Sequence, residues 1–142
     1  MSSKTHAVQQ ALAAEHAALY VYDVVGGRVS VSAHPRLARR VASAYTTHRG
    51  RRDQLTAMVR AAHATPVAAA VSYQLPTPCR TTPELELAAL LTEQRCTQVY
   101  AALVGASSQA TRQYAINALA DSAVRELGFG GIPAAFPGLP EM

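Results

Sequence analysis

The sequence has 142 residues, 49% of them hydrophobic and 15% charged, which supplies apolar material for one core and predicts a single domain over residues 1–142. No stretch approaches the roughly 20 uninterrupted apolar residues of a membrane span, and Met1 to His6 lack a basic segment followed by an apolar run, so membrane insertion is excluded and a cytoplasmic location is expected. The net charge of +4 is almost wholly arginine, but Arg36, Arg39, Arg40, Arg49, Arg51, Arg52 and Arg60 spread around most of one helix without interleaved aromatics, which argues against nucleic acid and for a solvated basic face with one or two arginines turned inward.

All expected elements are helical. Alanine-rich segments with apolar residues three and four apart dominate, and the alternating run Arg28 to Ser32 is too short to count as a strand. The first helix is expected over about residues 4–27, ending at Gly26-Gly27. The second starts near Pro35 and reaches about residue 63, where Thr65-Pro66 stops it. Residues 64–82 then form a connection long enough to cross a helical bundle in extended form, at about 3.3 Å per residue.

The third helix, 83–104, has Thr82 as its expected N-cap, Pro83 in the first turn, Glu84 and Glu86 near the positive end of the dipole, and Gly105 at its end. Ser107 or Ser108 caps the fourth, 108–127. The tail, 128–142, holds too much Gly and Pro for a helix and is expected to pack Phe129 and Phe136 on the helices. Short turns make helices one and two, and three and four, antiparallel neighbours. Two such hairpins joined by one long crossover form the ferritin-like four-helix arrangement. Cys79 and Cys96 lack metal-finger spacing and are read as free thiols, Cys96 as a small buried one.

At about 100° per residue, the inward stripe of helix one is Val8, Leu12, Glu15, Leu19 and Tyr22, and that of helix three is Glu86, Leu90, Glu93, Thr97, Tyr100 and Val104. Both carry Glu followed seven residues later by Tyr. Helix two presents Leu37, Val41, His48, Leu55 and Val59, with Tyr45 and Arg52 at the border, while Tyr114, Asn117, Asp121 and Val124 share a face of helix four. Each helix therefore offers a polar group near mid-height, and these groups must meet each other, a metal or water, because an unpaired charge there costs several kcal/mol.

The paired Glu-x6-Tyr pattern, the inward histidine and the crossover resemble the ferritin-like superfamily. More narrowly, ALAAEHAALYVYDVVGG, YTTHRGRRDQL, SYQLP and AAFPGLPE resemble a family of ferritin-like domain proteins of unknown function found in actinobacteria. Di-iron members of the superfamily use one Glu from each of two helices and a Glu-x-x-His motif from each of the others. The resemblance places Glu15 and Glu93 at the single glutamates and His48 at the histidine of helix two. It departs at Tyr45, where a glutamate is expected, and on helix four, where Asn117 precedes Ala120 and Asp121 precedes Val124.

A full di-iron centre needs more ligands than this chain offers. The missing ligands and an inward arginine are explained together if Arg52, one turn from His48, bridges Glu15 and Glu93 through its planar guanidinium, with Arg125 supplementing it near Asp121 and with Arg49 and Arg51 further outward. The expected network is thus Glu15, Tyr22, His48, Arg52, Glu93 and Tyr100, without a cofactor, in a non-catalytic module acting through association as a homodimer. The alternative is a metal-binding protein or oxidoreductase holding iron or another divalent metal on Glu15, His48 and Glu93, with Asp121 as a fourth ligand.

Overall fold

Four alanine-rich runs bounded by capping residues become four helices in the structure, a computed structural model that describes residues 1–140. They are α1 (Ser3–Arg28), α2 (Pro35–Ala61), α3 (Thr82–Ala106) and α4 (Gln109–Gly128), with no strand among the described residues. Of the expected tail, Glu141 and Met142 lie outside the described residues. No helix is long and apolar enough to cross a membrane among the described residues.

Local chemistry explains the boundaries. The Ser2 hydroxyl accepts the Thr5 N–H at 3.1 Å and opens α1. This helix runs through Gly26-Gly27 to Arg28, whose guanidinium donates to the Pro78 and Cys79 carbonyls at 3.3 and 3.2 Å. α2 opens on Pro35 and closes with His63 at φ 56°, the His63 N–H on the Arg60 carbonyl and the Ala64 N–H on that of Val59.

Thr81, not the expected Thr82, caps α3, because Glu84 stands three residues after it. The Thr81 hydroxyl accepts the Glu84 N–H at 3.3 Å, and the Glu84 carboxylate accepts the N–H groups of Arg80 and Thr81. α3 passes Gly105, and Ser107 returns its hydroxyl to the Leu103 carbonyl, which leaves Ser108 as the extended residue before α4. α4 closes as α2 does, with Gly130 at φ 87° and the Gly131 N–H on the Glu126 carbonyl at 2.8 Å.

The connection between α2 and α3 lies along α1 and is held there by side chains. Gln9 donates to the Thr65 carbonyl at 2.7 Å and accepts the Val67 N–H at 2.8 Å; further along, the Tyr73 ring stands 5.7 Å from that of Tyr20. It therefore travels in the direction of α1 and delivers α3 antiparallel to it. α1 packs against α2 and α3, and α3 against α4.

Two apolar clusters fill the interior. One centres on Leu12, Leu55, Val59 and Leu103, the other on Val25, Val41, Leu85 and Phe129. Phe129 is buried as expected, whereas Phe136 is 67% exposed. What docks the segment before residue 140 is backbone rather than that ring, since a Cβ added to Gly138 (φ 80°) would stand 2.3 Å from the Thr97 carbonyl oxygen.

Candidate functional site

Between the two apolar clusters lies a buried polar layer. Because α1 and α3 are antiparallel and carry the same Glu-x6-Tyr spacing, each tyrosine meets the glutamate of the other helix. The Tyr22 hydroxyl donates to Glu93 Oε1 and the Tyr100 hydroxyl to Glu15 Oε1, both at 2.6 Å. His48 enters from α2 and closes the layer, its Nδ1 2.5 Å from Glu15 Oε2 and its Nε2 2.8 Å from Glu93 Oε1. Glu15, His48 and Glu93 are wholly buried, and both tyrosines nearly so.

Burial by itself disfavours the charged imidazole, but the Glu15 carboxylate, with Cys96 behind it, outweighs that and holds His48 well above its ordinary 6.5. Burial likewise pushes the Glu93 carboxyl up, yet the hydrogen bond and charge of His48, with Tyr22 and Ser122, bring it below its ordinary 4.5. His48 is therefore an imidazolium donating both N–H groups to carboxylates. Burial and the adjacent carboxylates raise Tyr22 and Tyr100 well above 10, so both remain donors. Burial and Glu15 push the Cys96 thiol up to about 11, so it is neutral.

A second layer joins α2 to α4. Arg51, 7% exposed, donates to the Ser122 hydroxyl at 2.8 Å, the Ala118 carbonyl at 3.2 Å and Asp121 Oδ2 at 2.5 Å. It also stands 3.9 Å from Glu15 Oε1 and lies over the Tyr100 ring, 5.3 Å from its centroid. Arg125 holds the same Asp121 oxygen at 2.8 Å and reaches back to Ser43 and Thr47 on α2. Glu15, Glu93 and Asp121 are thus balanced by His48, Arg51 and Arg125.

α2 and α4 also share a pattern. Ala44, His48, Arg51 and Leu55, at i, i+4, i+7 and i+11, reappear in the same spacing as Ala118, Ser122, Arg125 and Phe129, all buried except the partly exposed Arg125. In each case the arginine crosses to the other helix. Ser122 stands where a second histidine would complete the symmetry.

Several expected residues lie elsewhere. Arg52, expected between the glutamates, is 34% exposed and pairs with its neighbour Asp53 at 2.8 Å. Arg51, expected to face outward, takes the inward role. The two flank His48 on opposite sides of the helix, and periodicity does not say which flank turns toward α4. Asp121, expected as a fourth ligand, is 44% exposed and committed to the two arginines. The inner face of α4 is Ala115, Ala118 and Ser122, so the expected face of Tyr114, Asn117, Asp121 and Val124 is off by about one residue, or 100°. Small inner residues hide that face. The sequence signal that finds Arg51 is the spacing shared with Ala118, Ser122 and Arg125.

Glu15, His48 and Cys96 each bring a ligand atom within 4.8 Å of the others, a set that can hold a metal ion. Cys96 was not among the expected ligands. Such a site needs a free imidazole lone pair, whereas both His48 nitrogens here face carboxylates, at 2.5 and 2.8 Å. A two-metal centre fits less well, because the Glu-x-x-His positions are occupied by Tyr45 with His48 and by Leu119 with Ser122. Glu93 Oε2, buried without a hydrogen-bond partner, is the one carboxylate oxygen of the central layer left uncommitted.

Two predictions follow from this geometry. Arg51→Met should cost about 3 kcal/mol in urea unfolding, because it removes a nearly buried cation from beside the buried Glu15 and breaks its bonds to Ser122, Ala118 and Asp121, while Arg52→Met should stay within about 0.5 kcal/mol of the parent. Equal effects would contradict the inward placement of Arg51. The raised His48 makes a contribution that is complete below about pH 6.5 and lost as pH rises through its folded value; the lowered Glu93 makes one that is complete above about pH 4.5 and lost as pH falls through its folded value. The melting temperature should therefore be highest between about pH 4.5 and 6.5 and fall toward pH 9, with His48→Gln flattening the alkaline slope. A parent protein with no alkaline slope would show that His48 is not a cation.

The chain is similar to a protein of known structure, the conserved hypothetical protein rv2844 of Mycobacterium tuberculosis, with a TM-score of 0.83 and 32% identity over 95% of this chain and 97% of the other. No curated protein matches the chain. The model of a family described as Domain of unknown function (DUF4439) matches residues 7–141, and the chain belongs to that family.

Proposed function

We propose that this chain is a ferritin-like four-helix bundle in which protonated His48, held between Glu15 and Glu93, stands where that superfamily carries its metal centre, and that it serves as a non-catalytic association module. The observation that carries this reading is the double engagement of His48, whose two ring nitrogens lie 2.5 and 2.8 Å from carboxylates on different helices. Its support is threefold: the long connection along α1, the repeated Glu-x6-Tyr pairing, and an arginine layer that balances the remaining charge.

The alternative, a metal-binding protein or oxidoreductase, rests on the convergence of Glu15, His48 and Cys96, with Glu93 Oε2 free to join them. Elemental analysis of protein purified without a histidine tag, paired with nitrogen-15 NMR of His48, separates the two. The proposal expects no stoichiometric iron, manganese or zinc after reconstitution, and a doubly protonated imidazole at neutral pH. One metal per chain, lost in Glu15→Ala and Glu93→Ala, would replace it with the metalloprotein reading.

Association through a second copy is supported by an apolar stripe on the outer side of α4, where Ile116, Val124 and Leu127 are 42%, 67% and 46% exposed, with Ile132 beside Val124 and Leu127. Sedimentation should show a dimer that Val124→Glu dissociates without unfolding the chain. A monomeric parent at high concentration would refute this part of the proposal.

A further inference from the structure

The α1–α3 seam has two sides of opposite character. Its inner side is closed by the Tyr22–Glu93 and Tyr100–Glu15 bonds. On its outer side α1 presents Ala14, Ala17, Ala18 and Val21, at i, i+3, i+4 and i+7, and these short side chains leave space that crossover residues Tyr73 to Pro76 arch over without filling. The result is a cavity of ≈ 440 Å³ between the helices and the crossover, within the range of about 300–1,000 Å³ typical of small-molecule sites.

It is half open to solvent, and its lining is polar and apolar in nearly equal measure, an alanine floor facing the exposed side chains of Gln74 and Arg95. Leu91 and the Thr92 methyl line the α3 side, the Thr92 hydroxyl being spent on the Ala88 carbonyl at 2.7 Å. The roof is anchored, because Tyr73 packs on Tyr20 and its oxygen accepts the Ala70 N–H at 2.8 Å. Arg95 lines the cavity, and among the described residues it forms neither an ion pair nor a side-chain hydrogen bond; the Gln74 amide is likewise uncommitted. An unpaired, solvent-exposed guanidinium beside a floor of alanines fits a carboxylate on a slender apolar body.

We propose that this cavity binds a medium-chain acyl carboxylate, with the carboxylate on Arg95, the Gln74 amide beside it, and the chain lying along the alanines. The floor from Ala14 to Val21 runs about 10 Å at 1.5 Å per residue, a length that suits an extended chain of this class. The site lies outside the buried charged layer and does not depend on whether that layer holds a proton or a metal.

Titration of the full chain with decanoate, and separately with decan-1-ol, followed by calorimetry and by amide NMR shifts, tests it. Decanoate should bind saturably and shift the amides of residues 73–75 and of α3 near Arg95. Arg95→Gln should weaken decanoate about tenfold or more while leaving the alcohol unchanged. Ala17→Leu should abolish binding of both at an unchanged melting temperature, and Leu91→Asp, at a half-exposed position, should weaken decanoate without unfolding the chain should Ala17→Leu fail to fold. No saturable binding, binding indifferent to both cavity variants, or equal loss of acid and alcohol in Arg95→Gln would each overturn the proposal.

Discussion

The fold is organised around one energetic constraint: ionised carboxylates placed at 0% exposure on two helices must be neutralised by groups brought from the others. An imidazolium between Glu15 and Glu93 meets that demand with two directed hydrogen bonds, and each tyrosine hydroxyl adds one more, leaving only Glu93 Oε2 of the four oxygens without a partner. Each interaction joins different helices, so sliding α1, α2 or α3 by one residue would strand a buried charge. Leucine and alanine packing alone specifies such register weakly. Here the apolar clusters above and below provide most of the burial, and the polar layer selects one alignment among those the clusters would accept.

The layer is nearly two-fold symmetric, and the departure from symmetry is informative. α1 and α3 exchange identical Glu and Tyr contacts, and α2 and α4 exchange arginines from matching positions. Only the pair His48 and Ser122 breaks the match. A second imidazolium at Ser122 would add a positive charge to a set that is already balanced, and Ser122 instead accepts from Arg51 and lies beside Glu93, helping to hold that carboxyl low. The asymmetry leaves three carboxyl groups facing three cationic side chains in this layer.

Much of this could be read from the sequence because buried carboxylates are conspicuous in an alanine-rich helix. Glu15, Glu93, Tyr22, Tyr100 and His48 fall on stripes that periodicity identifies, and helix boundaries follow from capping residues to within two positions. What periodicity leaves open is the flank. Arg51 and Arg52 both border the His48 face, and the choice depends on the side from which α4 approaches, a tertiary fact. The inner face of α4 was hidden for a related reason: Ala115, Ala118 and Ser122 carry little hydrophobic signal, so larger residues on the borders appeared to define it. Thr81 and Thr82 compete as caps, and only the position of Glu84 decides between them.

Small residues also tie the two sides of the α1–α3 seam together. Ala14 and Ala18 flank Glu15 along the chain, and Thr92 precedes Glu93, so the residues that leave the outer cavity open are neighbours of those that close the inner layer. Short side chains there allow the helices to approach closely enough for hydrogen bonds of 2.6 Å across the seam. Larger residues at Ala14 or Ala18 would fill the cavity and at the same time wedge apart the helices that the charged layer holds. Ala17, which is only partly buried, is free of that coupling. The outer trough is thus a geometric consequence of how the inner charges are satisfied: a seam drawn tight on one face by short polar contacts must be lined with small residues, and the crossover that roofs it cannot descend far enough to fill the space they leave.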